Sequence, residues 1–208
     1  VYSPYDEGHP TKPINPYGNT KLEVEMFLKD WAKSDLEVRV SILRYFNPIG
    51  AHESGLIGEH PNQIPNNLMP FISQVVNGAL SYLNIYGSDY ETRDGTGERD
   101  YIHVMDIAEG HLAALNFLND SAGAHIHNLG TGKGTTVLEL INEFEKSNAL
   151  IIPYKFALRR DGDLPSYYSD ASKALNELNW FAKRNLSQAC RDTYRFSQMQ
   201  PVHKPRKI

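Results

Sequence analysis

The chain has 208 residues, 40% of them hydrophobic, 22% charged and 11% aromatic, the proportions of a folded, water-soluble protein rather than a disordered one. A formal net charge of −4 without a Lys/Arg block argues against nucleic acid as the main partner, and Lys204, Arg206 and Lys207 read as a frayed tail. No apolar run approaches a membrane span and no charged-then-apolar leader opens the sequence, so a cytoplasmic location with no membrane partner is expected, while a single cysteine, Cys190, excludes an internal disulfide and a cysteine-held metal.

The chain opens on Val1 rather than Met, as if a strand had just ended, which predicts the later part of a longer protein. A Pro/Gly/His-rich loop runs to Pro16. Asn15 in a capping position, Pro16 in the first turn and the apolar Phe27, Leu28 and Trp31 predict a helix over 17–33. That helix puts Tyr17 and Lys21 four residues apart, hence on one face, where an ammonium beside a phenol favours the phenolate and makes the pair a candidate acid–base unit. The near-continuous apolar stretch 37–43 predicts a strand of a parallel sheet covered on both faces, and its end at 47–52 is where an open α/β sheet holds its ligand.

Residues 64–70 introduce a helix through about 78, followed by a short strand at 83–87, a turn at 94–100 and another strand at 101–104, after which Asp106 is expected to cap a helix reaching about 118. A strand at 125–129 feeds Gly130, Gly132 and Gly134, and Thr136 with Glu139 predicts a capping box on the next helix. A strand at 150–156, a loop at 159–168 and helices at 171–178 and 186–198 complete the chain, with Cys190 packed in the last.

Several side chains admit two readings. The glycines at 130, 132 and 134 sit between strand and helix, as in a dinucleotide-binding turn. They lack the third glycine of that pattern, and no acidic residue ends the next strand, so a plain connecting turn is the better reading. Arg99 and the Arg159–Arg160 pair are anion ligands or solubilising surface; Asp163 accepts hydrogen bonds from sugar hydroxyls or caps its loop; Tyr86 stacks on a base or fills the core. His125 with His127, and His103 with His111, invite a metal, but no metal-binding spacing accompanies them and structural roles are expected. Neither a G-x-S-x-G motif nor a catalytic carboxylate pair supports a hydrolase.

Six blocks occur in order: Pro-Tyr-Gly-x-x-Lys at 16–21, Arg-Tyr-Phe-Asn-Pro-x-Gly-Ala-His at 44–52, Ile-Pro-Asn-Asn-Leu-Met-Pro at 64–70, Asp-Gly-Thr-Gly-x-Arg-Asp-Tyr-Ile-His-Val-x-Asp at 94–106, Asn-Leu-Gly-Thr-Gly at 128–132 and Arg-Arg-x-Gly-Asp-Leu at 159–164. Together they resemble the extended short-chain dehydrogenase/reductase superfamily and, within its sugar-nucleotide branch, the UDP-glucose 4-epimerase family, over nearly the whole chain to about Trp180. The resemblance implies an α/β fold: the last part of a doubly wound parallel, Rossmann-type sheet over 1–48, then a smaller mixed nucleotide-sugar domain over 49–208, with about 101–130 returning to the main sheet.

It also implies a chemistry, the interconversion of UDP-glucose and UDP-galactose on a tightly held NAD, with Tyr17 as general base toward the sugar 4-hydroxyl and Lys21 beside it on the nicotinamide ribose. Tyr45 would lie beside nicotinamide and sugar. Asn47, Asn67 and Leu68 would line the nucleotide-sugar site, with Tyr86 near uracil, Arg99 and Arg160 on the diphosphate and Asp163 on the ribose. A bulky Tyr167 implies unsubstituted rather than N-acetylated hexoses, and a homodimer through helices including the one with Tyr17 is expected. The family's Gly-rich cofactor loop, its acidic ribose ligand and the Ser of its Ser-Tyr-Lys set have no counterpart here, and Ala157-Leu158 replaces the usual Ala-Pro. A decarboxylase or pentose 4-epimerase of the same branch, or an inactive fragment, are the rival readings.

Overall fold

The computed structural model describes residues 2–61, 65 and 67–199, so Ile64, Asn66 and the expected tail at Lys204, Arg206 and Lys207 lie outside the described residues. Helix α1 (Pro16–Ser34) starts where the sequence places it, because Asn15 Oδ1 accepts the Gly18 N–H at 2.8 Å and Pro16 sits where no helical donor is needed. Strands β1 (Arg39–Tyr45) and β2 (Asn47–Ile49) follow, then α2 (Leu68–Val76), β3 (Leu83–Tyr86), β4 (Glu98–Arg99) and β5 (Tyr101–His103). The second half carries α3 (Val104–Phe117), β6 (Gly123–Leu129), β7 (Thr135–Thr136), α4 (Val137–Asn148), β8 (Tyr154–Ala157), β9 (Ser166–Tyr167), α5 (Ser172–Leu178) and α6 (Leu186–Met199).

Four pairs of strands run parallel: β1 with β6, in register from Arg39–Gly123 to Tyr45–Leu129, β2 with β5, β3 with β8, and β4 with β9. Parallel partners need crossovers, and here each crossover contains a helix, giving the α/β class expected from the sequence. Strand β4 lies between antiparallel β7 and parallel β9.

The differences from the sequence reading have local causes. Segment 47–49, expected to be irregular, pairs with β5. Asp106 does not cap α3: His103 does, its Nδ1 accepting the Met105 N–H at 3.1 Å, while the buried Asp106 carboxylate takes the Arg184 guanidinium and the backbone N–H groups of Lys183 and Arg184. The strand expected over 150–156 begins only at Tyr154, since the Ile152 N–H turns back to the Glu145 side chain. The capping box of Thr136 and Glu139 forms as expected.

Two apolar clusters share strand β5, whose alternation sends Tyr101 into one and Ile102 into the other. The larger packs α2, α4 and α6 around Ile72, Leu140, Ile141, Phe144 and Cys190, and burial pushes the Cys190 thiol up to about 12. The smaller packs α3 and α5 on Leu129 and Trp180.

Candidate active site

A groove opens where β2, α2, β3 and β4 meet the loop after β8. The sequence separates its residues widely. Asn47 comes from the start of β2, Asn67 and Leu68 from the start of α2, Tyr86 from the end of β3, Arg99 from β4, and Arg160 with Asp163 from the loop before β9. All seven were singled out in the sequence, and the fold brings them to one cavity.

Arg99 is held rigidly. Its Nη1 donates at 2.8 Å to the backbone oxygens of both Glu98 and Leu164, which leaves the rest of the guanidinium toward the groove, 3.5 Å from Asp163. Arg160 donates to the same carboxylate at 3.0 Å and lies over the Tyr86 ring, 5.0 Å from its centre. Two guanidinium groups on one carboxylate leave a net positive charge, the electrostatic requirement for an anionic ligand. Arg159, in contrast, pairs with Asp89 at 2.7 Å and covers the Tyr90 ring, so the arginine pair divides its work. Tyr86 is 41% exposed, which removes the core reading.

Tyr17, Lys21, Tyr45 and Tyr167 stand outside the lining of this groove. Tyr17 is 72% exposed at the start of α1, and Lys21 Nζ lies 5.2 Å from the centre of its ring, so helical spacing delivers the expected juxtaposition. Tyr45 ends β1 with its ring half exposed and 6.2 Å from His111. Tyr167, its phenol pushed up by burial, stacks on Phe46 at 4.7 Å and meets Tyr5 at 4.8 Å. The link between helix and groove is the loop before α1: Tyr5 bonds to the backbone at Tyr168 and Asp170, and a Cβ on Gly162 would lie 3.3 Å from Ile14.

Tyr101 also lines the groove and escaped the sequence reading, although its signal was there. In extended chain Arg99 and Tyr101 share a face. Asp100 points the other way, into the turn after β6, and accepts the N–H groups of Thr131 and Gly132. The glycine turn is therefore closed around a side chain of the protein itself.

The histidines have structural partners: His103 Nε2 lies 3.3 Å from Asp192, His111 bonds to the Ile107 carbonyl, His125 to the Ala122 carbonyl, and His127 Nε2 to Glu177 at 2.9 Å. Among the described residues no three His, Cys, Asp or Glu side chains group as a metal site, and no helix is long and apolar enough to cross a membrane.

The family model described as GDP-mannose 4,6 dehydratase matches residues 1–193. The chain belongs to this family. Within the GDP-mannose 4,6 dehydratase family its similarity is to epimerases, as the six motifs indicated. A UDP-glucose 4-epimerase of Pasteurella multocida is 58% identical over 187 residues, covering 90% of this chain and 55% of the relative. The fold also matches the UDP-glucose 4-epimerase of Stenotrophomonas maltophila with bound NAD and formylated UDP-arabinopyranose, at a TM-score of 0.92 and 48% identity over 95% of this chain and 59% of that one. The Bifidobacterium longum UDP-glucose 4-epimerase in complex with NAD+ and UDP gives 0.89 and 45%, with the same coverage. The chain thus spans somewhat more than half the length of the relatives it matches.

Proposed function

We propose that, within a longer polypeptide, these residues interconvert UDP-glucose and UDP-galactose. The observation that carries the reading is the groove, where five separated segments supply two guanidinium groups, a carboxylate, carboxamides and a tyrosine ring to one cavity. Arg99 and Arg160 hold the diphosphate, which requires Asp163 to give up its place between them and turn to the ribose hydroxyls. Tyr86 offers its ring to uracil and Asn47 its carboxamide to the sugar. Tyr167 limits the room at the sugar and favours unsubstituted hexoses.

NAD suits the end of β1, because strands β1 and β6 run parallel and end together at the half-exposed Tyr45, the usual ligand edge of an open sheet, and the Tyr17–Lys21 pair of α1 offers a hydroxyl and an ammonium donor to the same cofactor. When bound, NAD supplies the site with a hydride acceptor and donor for sugar C4. Tyr17 Oη takes the proton from the 4-hydroxyl on oxidation and returns one on reduction, and Lys21 balances the phenolate charge and donates to the nicotinamide ribose. The glycine turn after β6 is filled by Asp100, so the pyrophosphate is assigned to polypeptide outside these residues. The division into a cofactor part over 1–48 and a nucleotide-sugar part over 49–208, a homodimer using the open face of α1, and a cytoplasmic location belong to the same reading.

The test is to incubate the intact gene product with UDP-galactose and identify the product. UDP-glucose without net consumption of NAD is expected. A dehydrated, decarboxylated or pentose product, or no turnover, would overturn the proposal.

A further inference from the structure

Asp100 is completely buried between two groove residues, Arg99 and Tyr101. Its carboxylate accepts five donors: the N–H of Thr131 at 2.9 Å, the Thr131 hydroxyl at 2.6 Å, the N–H of Gly132 at 3.1 Å, and the N–H and hydroxyl of Ser169 at 3.2 and 2.6 Å. Gly130 is required beside it, because a Cβ there would fall 2.6 Å from Asp100 Oδ2 and closer still to Ser169 Oγ. Consecutive backbone N–H groups in such a turn form an anion cradle, and here the anion is built in. The backbone of the same residue ties a groove strand to the strand of Tyr167. Its carbonyl accepts the Asn47 N–H at 2.9 Å, and its N–H donates to the Tyr167 carbonyl at 3.1 Å.

We propose that Asp100 is the positioning residue of the groove, its carboxylate serving as the resident anion of the Gly130–Gly134 turn and thereby fixing Asn47, Arg99, Tyr101 and Tyr167 relative to one another. The four residues come from β2, β4, β5 and β9, and every one is either covalently next to Asp100 or bonded to its backbone. Removing the charge leaves five converging donors around a carboxylate-sized space, and unpaired buried donors are costly enough to move the strands that carry them. The proposal rests on the groove being the nucleotide-sugar site.

The test uses Asp100→Ala and Asp100→Asn in the intact gene product, with UDP affinity measured by titration calorimetry. Formate is the probe of the vacated space, and chloride its control. Asp100→Ala should weaken UDP binding about tenfold or more, and formate should restore most of the loss in a saturable way where chloride does not. Asn, which presents its amide hydrogens to donors, should not be rescued. Asp30→Ala, at an exposed ion pair with Lys33 on α1 and outside the groove lining, should leave UDP binding unchanged. If Asp100→Ala does not fold, Ser169→Ala, which removes one of the five donors, should weaken UDP binding about two- to fivefold while retaining most thermal stability.

A folded Asp100→Ala protein that binds UDP as the parent does, or whose loss formate does not repair, overturns the proposal, as does an unchanged UDP affinity in Ser169→Ala. If the parent itself fails to bind UDP, the groove reading is what fails. The anion role then stands or falls on whether formate raises the melting temperature of Asp100→Ala.

Discussion

Helix α4, 12 residues long, buries Leu140, Ile141 and Phe144 completely, whereas α1, with 19 residues, buries only Ala32 and leaves Phe27 68% and Trp31 48% exposed. The first is held by packing against α6 and by caps at both ends, a Thr136–Glu139 box and a left-handed Ala149. The second is held by local polar devices. Asn15 caps it, and Arg44 of β1 reaches Glu25 with two parallel hydrogen bonds of 2.8 and 2.6 Å; burial pushes the Glu25 carboxyl up, and Arg44 with Lys29 outweighs it and holds the group below its usual range. The contrast separates two tasks. The side built on α2, α4 and α6 closes its own core beside the groove, while α1 displays the Tyr17–Lys21 pair and an apolar flank to the outside.

The largest effect expected from this division is chemical. Tyr17→Phe in the intact gene product should lower turnover of UDP-galactose by about 10²–10⁴-fold and leave UDP affinity within about twofold, measured by initial rates and calorimetry. Parallel losses of both would mean that helix and groove are not separate in function.

Stability should divide the other way. Phe144→Ala should cost about 3–5 kcal/mol in denaturant unfolding, and Phe27→Ala only about 0.5 kcal/mol in a monomer. A cost for Phe27→Ala that grows with protein concentration would show that a second chain covers α1. Smaller again, Thr136→Ala should remove about 1 kcal/mol by loss of the α4 cap, and the Thr136 hydroxyl also donates to Asp94, so a cost below that of an ordinary cap would count against the arrangement.

The smallest effect is on pH. Burial lowers the His127 imidazole on β6 and His103 at the start of α3 below the ordinary 6.5, with Glu177 and Asp192 opposing it. The unfolded chain then takes up protons at a higher pH than the folded one, so this stability is present above about 6.5 and is lost as the pH falls from there through the lower folded-state values. Melting temperature should decline from pH 7 to 5, and His127→Gln should flatten the slope.

Much of the site was legible in the sequence because its identifiers are short-range. Tyr17 and Lys21 meet through helical periodicity alone, and the Thr136–Glu139 box through three-residue spacing. Tyr101 was missed because attention to charge at Arg99 passed over the alternation that puts the two on one face. The choice between ligand and surface for Arg99 and Arg159 could not be made from spacing, since it depends on which carbonyls and carboxylates lie opposite them, and these include Leu164 and Asp89, 65 and 70 residues away.

The sequence by itself therefore determined the α/β class, the helix that carries the phenol and ammonium, and the residue types available to an anionic ligand, because these follow from periodicity and capping over a few residues. Only the tertiary structure decided that Asp163 sits between Arg99 and Arg160, that Asp100 occupies the glycine turn and that His103 rather than Asp106 caps α3. Each of those outcomes is a competition among buried polar groups for partners distant in the chain, and it is settled by which donors the packed strands bring within hydrogen-bonding distance.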